Sequence, residues 1–298
     1  MSPPPVAWLV APFTALPLVP AFWTFAALSA AAFVACGWLA TPGHGLSRLV
    51  LLVTAACIYP VLIAVQTGQV TPLIAAATML GWWLAKRDRP VLAGLVLVVL
   101  VLKPQVAILV PPAMLVAGRR RTFVAWFAGA AVVTALSVIS LGGQGLDELR
   151  GALGAEQGQA GNLAWTLSGV VGAGPLAAVI EVACACVALV VAWWHRRRSL
   201  ELAIVAGILG TLLASPYHNP SDFAILAPAA WLYLRVAQPM WHRAWLAVGL
   251  LATYLAAGSG PGLLQVFTFG WLMLMVAGAW TKQPVQTAAF AGQVEPAR

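Results

Sequence analysis

The chain has 298 residues, 62% of them apolar and only 8% charged, with a formal net charge of +8. Surface-to-volume scaling does not let a soluble domain of this size hide so much apolar surface, and soluble domains carry about 25% charged residues. The positive charge does not describe a nucleic-acid surface either. It falls in short clusters between apolar runs, at Lys86-Arg87-Asp88-Arg89, Arg119-Arg120-Arg121, Arg196-Arg197-Arg198, and Arg235 with Arg243, which is how cytoplasmic loops look under the positive-inside rule.

The expected fold is all-α, a polytopic transmembrane helix bundle. Apolar runs lie near residues 21–40, 49–65, 71–85, 90–102, 104–117, 122–141, 175–194, 200–214, 223–235, 244–257 and 263–280, about 9–11 membrane segments in all. A full crossing takes ~20 apolar residues, with a range of ~17–25. The shorter runs must extend into polar flanks or stop inside the protein. Residues 1–281 read as one transmembrane domain, and 282–298 as a short, disordered cytoplasmic tail.

Met1-Ser2-Pro3-Pro4-Pro5 carries no basic region and no signal-peptide cleavage pattern. The apolar residues 6–16 end at Pro17 and Pro20, so residues 1–20 read as an interfacial or re-entrant start, as if the chain began partway into a larger architecture. Placing the basic clusters and Lys282 in the cytoplasm alternates with outer loops at 66–70, 141–175, 215–222 and 258–262. That scheme puts the N-terminus outside and the C-terminus in the cytoplasm. Trp82-Trp83, Trp126 and Trp193-Trp194 border basic clusters, as an interfacial aromatic belt does.

The stretch between Arg89 and Arg119 is basic at both ends and divides at Lys103-Pro104. Each half, at ~1.5 Å per residue, is ~20 Å long, short of a ~30 Å hydrocarbon core. Proline breaks the hydrogen-bond ladder there, and broken backbone at membrane depth is tolerated only where protein or water surrounds it. Residues 90–117 are therefore expected to form a broken hairpin with Lys103 at its tip. A charge so placed marks a functional site unless it snorkels to the surface.

Other polar residues are few. Gln66-Thr67-Gly68-Gln69 makes a tight outer turn, and Ser215-Pro216-Tyr217-His218-Asn219-Pro220-Ser221-Asp222 joins two apolar runs. Asp222 is placed to cap a helix start, and His218 has the ordinary pKa of an acid–base or phosphate-pairing group. Glu201 reads as a helix-start acid, while Glu181, inside an apolar run, needs a polar neighbour. Cys36, Cys57, Cys184 and Cys186 all sit in apolar runs and form neither a metal spacing nor a disulfide framework. No nucleotide loop, dinucleotide fingerprint, HExxH or GxSxG is present, and no cofactor or metal is expected.

Pro3-Pro4-Pro5 followed by Ala11-Pro12-Phe13 and Leu16-Pro17 resembles the opening block of glycosyltransferase family 87. Gly68-Gln69 is similar to the family's outer turn. Arg89-Pro90, Ala93-Gly94, Lys103-Pro104-Gln105 and Arg119-Arg120-Arg121 resemble its core, and Gly161-Asn162 resembles the start of an outer loop. Ser215-Pro216-Tyr217-His218 with Asp222 and Phe223 resembles a later block. The resemblance implies a GT-C type membrane enzyme, such as a mannosyl- or arabinofuranosyltransferase. Such an enzyme moves a hexose or pentose from a polyprenyl phosphate to a glycan or glycolipid acceptor on the outer face of the plasma (inner) membrane.

For this chain the resemblance implies that Lys103 faces the donor phosphate and that Gln69, Gln105, Tyr217 and His218 line the substrate cavity. The family carries an N-terminal helix and a catalytic-aspartate loop before the proline block. Here Met1 directly precedes that block, so the catalytic base is open, with Asp222 and His218 as candidates, and the chain alone is expected to have little activity. A polyprenyl-lipid or solute transporter and a non-catalytic membrane scaffold are the alternatives. Broken half-helices with a charge at mid-depth are also transporter features, but no second break matches Lys103-Pro104.

Overall fold

The computed structural model describes residues 4–260 and 262–280, which are predominantly helical, with no strand among them. The expected tail at 282–298 lies outside the described residues. Helix α1 (Pro4–Val10) continues as a 3-10 turn (Ala11–Ala15) into α2 (Leu18–Ala40). Helices α3 (Gly45–Ala56) and α4 (Tyr59–Gln66) are the halves of one bent segment, with 61° between them. Pro60 sits in the first turn of α4, where its ring and missing N–H prevent continuation from α3.

Helix α5 (Thr71–Lys86) returns to the basic cluster, and α6 (Pro90–Leu97) leads through 3-10 turns at Val98–Leu102 and Pro104–Val106 to α7 (Val110–Val116). Beyond these lie α8 (Arg120–Gly158), α9 (Ala160–Leu163), α10 (Leu167–Val171), α11 (Pro175–His195) and α12 (Leu200–Ala214). A 3-10 turn (Pro220–Ile225) then precedes α13 (Leu226–Leu234), α14 (Met240–Ser259) and α15 (Gly262–Trp280). By length and composition α2, α8 and α11 can each cross a membrane, and the bent α3–α4 pair makes a fourth candidate. The remaining segments are shorter or more polar and lean on these.

The outer loop expected at 141–175 is instead largely helical. Helix α8 runs 39 residues, with a kink at Gly142, whose φ is 61°. That length is ~58 Å at ~1.5 Å per residue, nearly twice a bilayer core. The part after Gly142 is therefore more than a single crossing needs, and α9 and α10 follow it. Gly142 is the hinge because a positive φ costs glycine nothing.

The bundle has two chemically distinct ends. At one, Lys86 pairs with Glu201 at 3.2 Å, and Arg235 donates to the Ala40 carbonyl at 2.9 Å. Arg87 stacks on Trp83 at 4.0 Å and Arg196 on Trp193 at 3.8 Å, contacts that hold guanidinium groups at an aromatic rim. The opposite end carries Gln69, Lys103 and residues 215–222. Helix α12 is buried almost along its whole length, as expected of a helix apolar all round. A Cβ at Gly210 would lie 2.4 Å from the Ala188 Cβ, and one at Gly94 would lie 2.4 Å from the Thr122 carbonyl. Small residues at these crossings let α12 meet α11, and α6 meet α8, at backbone range, the main source of helix affinity inside lipid.

Candidate active site at the tip of the broken hairpin

Lys103 (φ −150°, ψ 77°) lies between two 3-10 turns, outside the α region that the following proline disfavours. The hairpin returns through Leu109, whose N–H donates to the Thr211 hydroxyl at 3.0 Å. One backbone donor freed by the break is thus satisfied by a side chain of the central helix, as membrane depth requires.

Lys103 does not snorkel. Its side chain is 11% exposed, its ammonium pairs with the fully buried carboxylate of Asp222, and it donates to Gln69 Oε1 at 3.0 Å. Gln69 reaches it from a turn held by a positive φ at Gly68 (62°) and by the bond from the Gln69 N–H to the Ala64 carbonyl at 2.8 Å. A buried ammonium needs such partners because its desolvation is costly.

Asp222 is not the N-cap residue expected from the sequence. Asn219 occupies that position, and Asp222 is the third residue of a capping box, accepting from the Asn219 N–H at 3.1 Å. The box leaves one carboxylate oxygen for Lys103 and turns the other toward His218 Nδ1, 3.5 Å away. His218 Nε2 lies 2.9 Å from the Leu212 carbonyl, which can only accept, so Nε2 carries a proton. That carbonyl is available because residue 216 is proline and has no N–H to return to it. Gln265 Nε2 donates to the same oxygen at 3.1 Å and to the Trp165 carbonyl at 2.7 Å.

Gln105 and Tyr217 lie beside each other at the edge of the cluster, close enough for the amide to act on the phenol. Burial, followed by the carboxylates of Asp222 and Glu156, raises the Tyr217 pKa, keeping a neutral hydroxyl beside the ion pair. Over this lies the segment that follows α8. Asn162 donates to Glu156 Oε2 at 2.7 Å, and its carbonyl receives the His218 N–H at 3.4 Å. Trp165 packs on Phe223 with ring centroids 6.0 Å apart.

The structure therefore brings together Gln69, Lys103, Gln105, Tyr217, His218 and Asp222. Sequence reasoning overlooked Gln265, although a lone glutamine in an apolar run was the available signal, and did not join Glu156 to the cluster. Glu181 accepts from Ser168 at 2.6 Å and Glu201 caps the basic end, so neither belongs to this site. Chemically, the cluster offers a buried ammonium for an anion and, paired with it, a carboxylate that Lys103 and His218 hold in its charged form.

The sequence model of glycosyltransferase family 87 matches residues 2–216. The chain belongs to that family, and its apolar helices make it a membrane glycosyltransferase, acting between a sugar donor and an acceptor. Neither curated proteins nor solved structures give a match to the chain. The family match covers Gln69, Lys103 and Gln105 and ends just before Tyr217, His218 and Asp222, whose place in the site rests on geometry.

Proposed function

We propose that this glycosyltransferase draws its sugar from a polyprenyl-phosphate donor, a mannosyl or another hexosyl or pentosyl lipid. In this reading Lys103 faces the phosphate and the sugar lies toward Gln69, Gln105, Tyr217 and His218. The observation that carries the proposal is the inward-turned Lys103 ammonium, shared by Asp222 and Gln69 at the tip of a hairpin broken inside the bundle. A lipid phosphate reaching that depth meets a cation already desolvated, where a charge-assisted contact is strongest.

The acceptor hydroxyl oxygen attacks the anomeric carbon, and the bond from that carbon to the phosphate oxygen breaks. The electron pair leaves on the polyprenyl phosphate, whose growing charge Lys103 stabilises. The hydroxyl proton goes to the Asp222 carboxylate, which His218 and the Asn219 N–H keep oriented. Because Lys103 is paired with Asp222 at rest, donor phosphate displaces the carboxylate, and the same event frees the base. The positive-inside rule supports a cytoplasmic basic end and an outward-facing site in the plasma (inner) membrane, with the N-terminus outside and a glycan or glycolipid acceptor.

Transfer from polyprenyl-phosphate mannose to membrane acceptors tests the proposal. Asp222→Asn is expected to lose about 100-fold or more in turnover, the range of a lost general base. Full turnover in that variant would remove Asp222 from the reaction.

A further inference from the structure

Away from this site, α3, α13, α14 and α15 enclose an apolar groove of about 260 Å³, whose lining includes Leu51, Ile58, Ala230, Leu246, Leu250 and Phe267. It follows α14 from Arg243 to Thr253, roughly 15 Å of helix at ~1.5 Å per residue. Just past this stretch the Tyr254 hydroxyl donates to the Cys57 carbonyl at 2.7 Å, tying α14 to the end of α3. The other end is at Arg243, which is exposed and forms no ion pair among the described residues.

Arg48 lies one helical turn before Leu51, and Arg235 follows Leu234; both of those leucines line the groove. Arg48 and Arg235 are close enough to repel each other. The Arg48 Nε is buried without a hydrogen-bond partner. Glu201, which also acts on Arg235, is already engaged by Lys86, Trp82 and Ser199. The mouth is thus rich in guanidinium groups, and no carboxylate lines the groove.

We infer that this groove binds an anionic glycerophospholipid, with one acyl chain in the groove and the phosphate against Arg243. A guanidinium matches a phosphate with paired N–H donors, and basic pockets between membrane helices select anionic head groups. The volume is below the ~300–1,000 Å³ of a drug-sized pocket, so it takes part of one chain rather than a whole lipid. A lining that follows only about 15 Å of α14 suits an acyl chain of limited length and not the long chain of a polyprenyl phosphate. The proposal does not depend on the reading of Lys103, which lies at the opposite end of the bundle.

Native mass spectrometry of the purified full chain tests it, with phosphatidylglycerol and phosphatidylcholine of identical acyl chains as probes. Phosphatidylglycerol binds at least tenfold more tightly, Arg243→Gln abolishes that preference, and Arg120→Gln, at a basic cluster away from the groove, preserves it. Ala247→Phe, which adds bulk to an exposed lining residue, weakens both lipids. Equal binding of the two lipids, a preference surviving in Arg243→Gln, or displacement of phosphatidylglycerol by polyprenyl phosphate would each overturn the inference.

Discussion

The ammonium of Lys103 and the carboxylate of Asp222 meet inside the bundle, the lysine delivered by a broken hairpin and the aspartate by a capping box. Removing one member of a buried pair leaves the other uncompensated, at a cost of about 3–5 kcal/mol, whereas removing both is far milder. Lys103→Met is therefore expected to lower the unfolding midpoint in detergent sharply. Lys103→Met with Asp222→Asn recovers most of that loss. Additive losses in the two variants would mean the residues do not interact.

The hairpin is seated on α8 by Gly94, where a Cβ would lie 2.4 Å from backbone oxygen and 2.6 Å from the Ala125 Cβ. Backbone cannot swing aside as a side-chain tip can. Gly94→Ala is expected to destabilise by about 1–3 kcal/mol, the usual range for overpacking, read as a loss of thermal stability. An unchanged midpoint would show that α6 and α8 have room to separate.

Gln265 joins Leu212, at the end of the central helix, to Trp165 in the segment over the site. Gln265→Leu takes the donor from the part-buried Trp165 carbonyl, at up to about 1–3 kcal/mol for an unsatisfied group, while the Leu212 carbonyl keeps His218. Amide exchange should quicken in residues 160–169 and remain slow in α5. Uniform exchange in both would show that this bridge does not hold the segment down.

Topology is open to cysteine labelling in intact cells, starting from a cysteine-free background. Gly158→Cys, at the far end of α8, is expected to react with an impermeant maleimide from outside. Arg197→Cys, at the basic end, should react only after permeabilisation. The reverse pattern would invert the proposed orientation.

Much of this architecture was legible because lipid makes strong demands on sequence. Helix ends near basic clusters followed from charge, and the break at Lys103-Pro104 followed from a proline in a run too short to cross. The helical course of residues 141–158 was not legible, because its glycines and charges read as loop while a single hinge at Gly142 lets helix resume. Lys103, Gln69 and His218 stood out as rare polar groups. Their convergence did not, since it depends on the long-range packing of α12 against α7 and α11. The capping-box position of Asp222 was obscured by Pro220, which shifts the helix start to Asn219.

The most direct test of the account is donor-lipid affinity in the two Asp222 backgrounds, measured with a polyprenyl-phosphate sugar on protein of verified fold. Asp222→Asn is expected to bind the donor at least as tightly as the natural chain, because no carboxylate competes for Lys103. Adding Lys103→Met to that variant is expected to weaken binding at least tenfold, about 1.4 kcal/mol. Equal donor affinity with and without the lysine, in the Asp222→Asn background, would contradict the assignment of Lys103 to the donor phosphate.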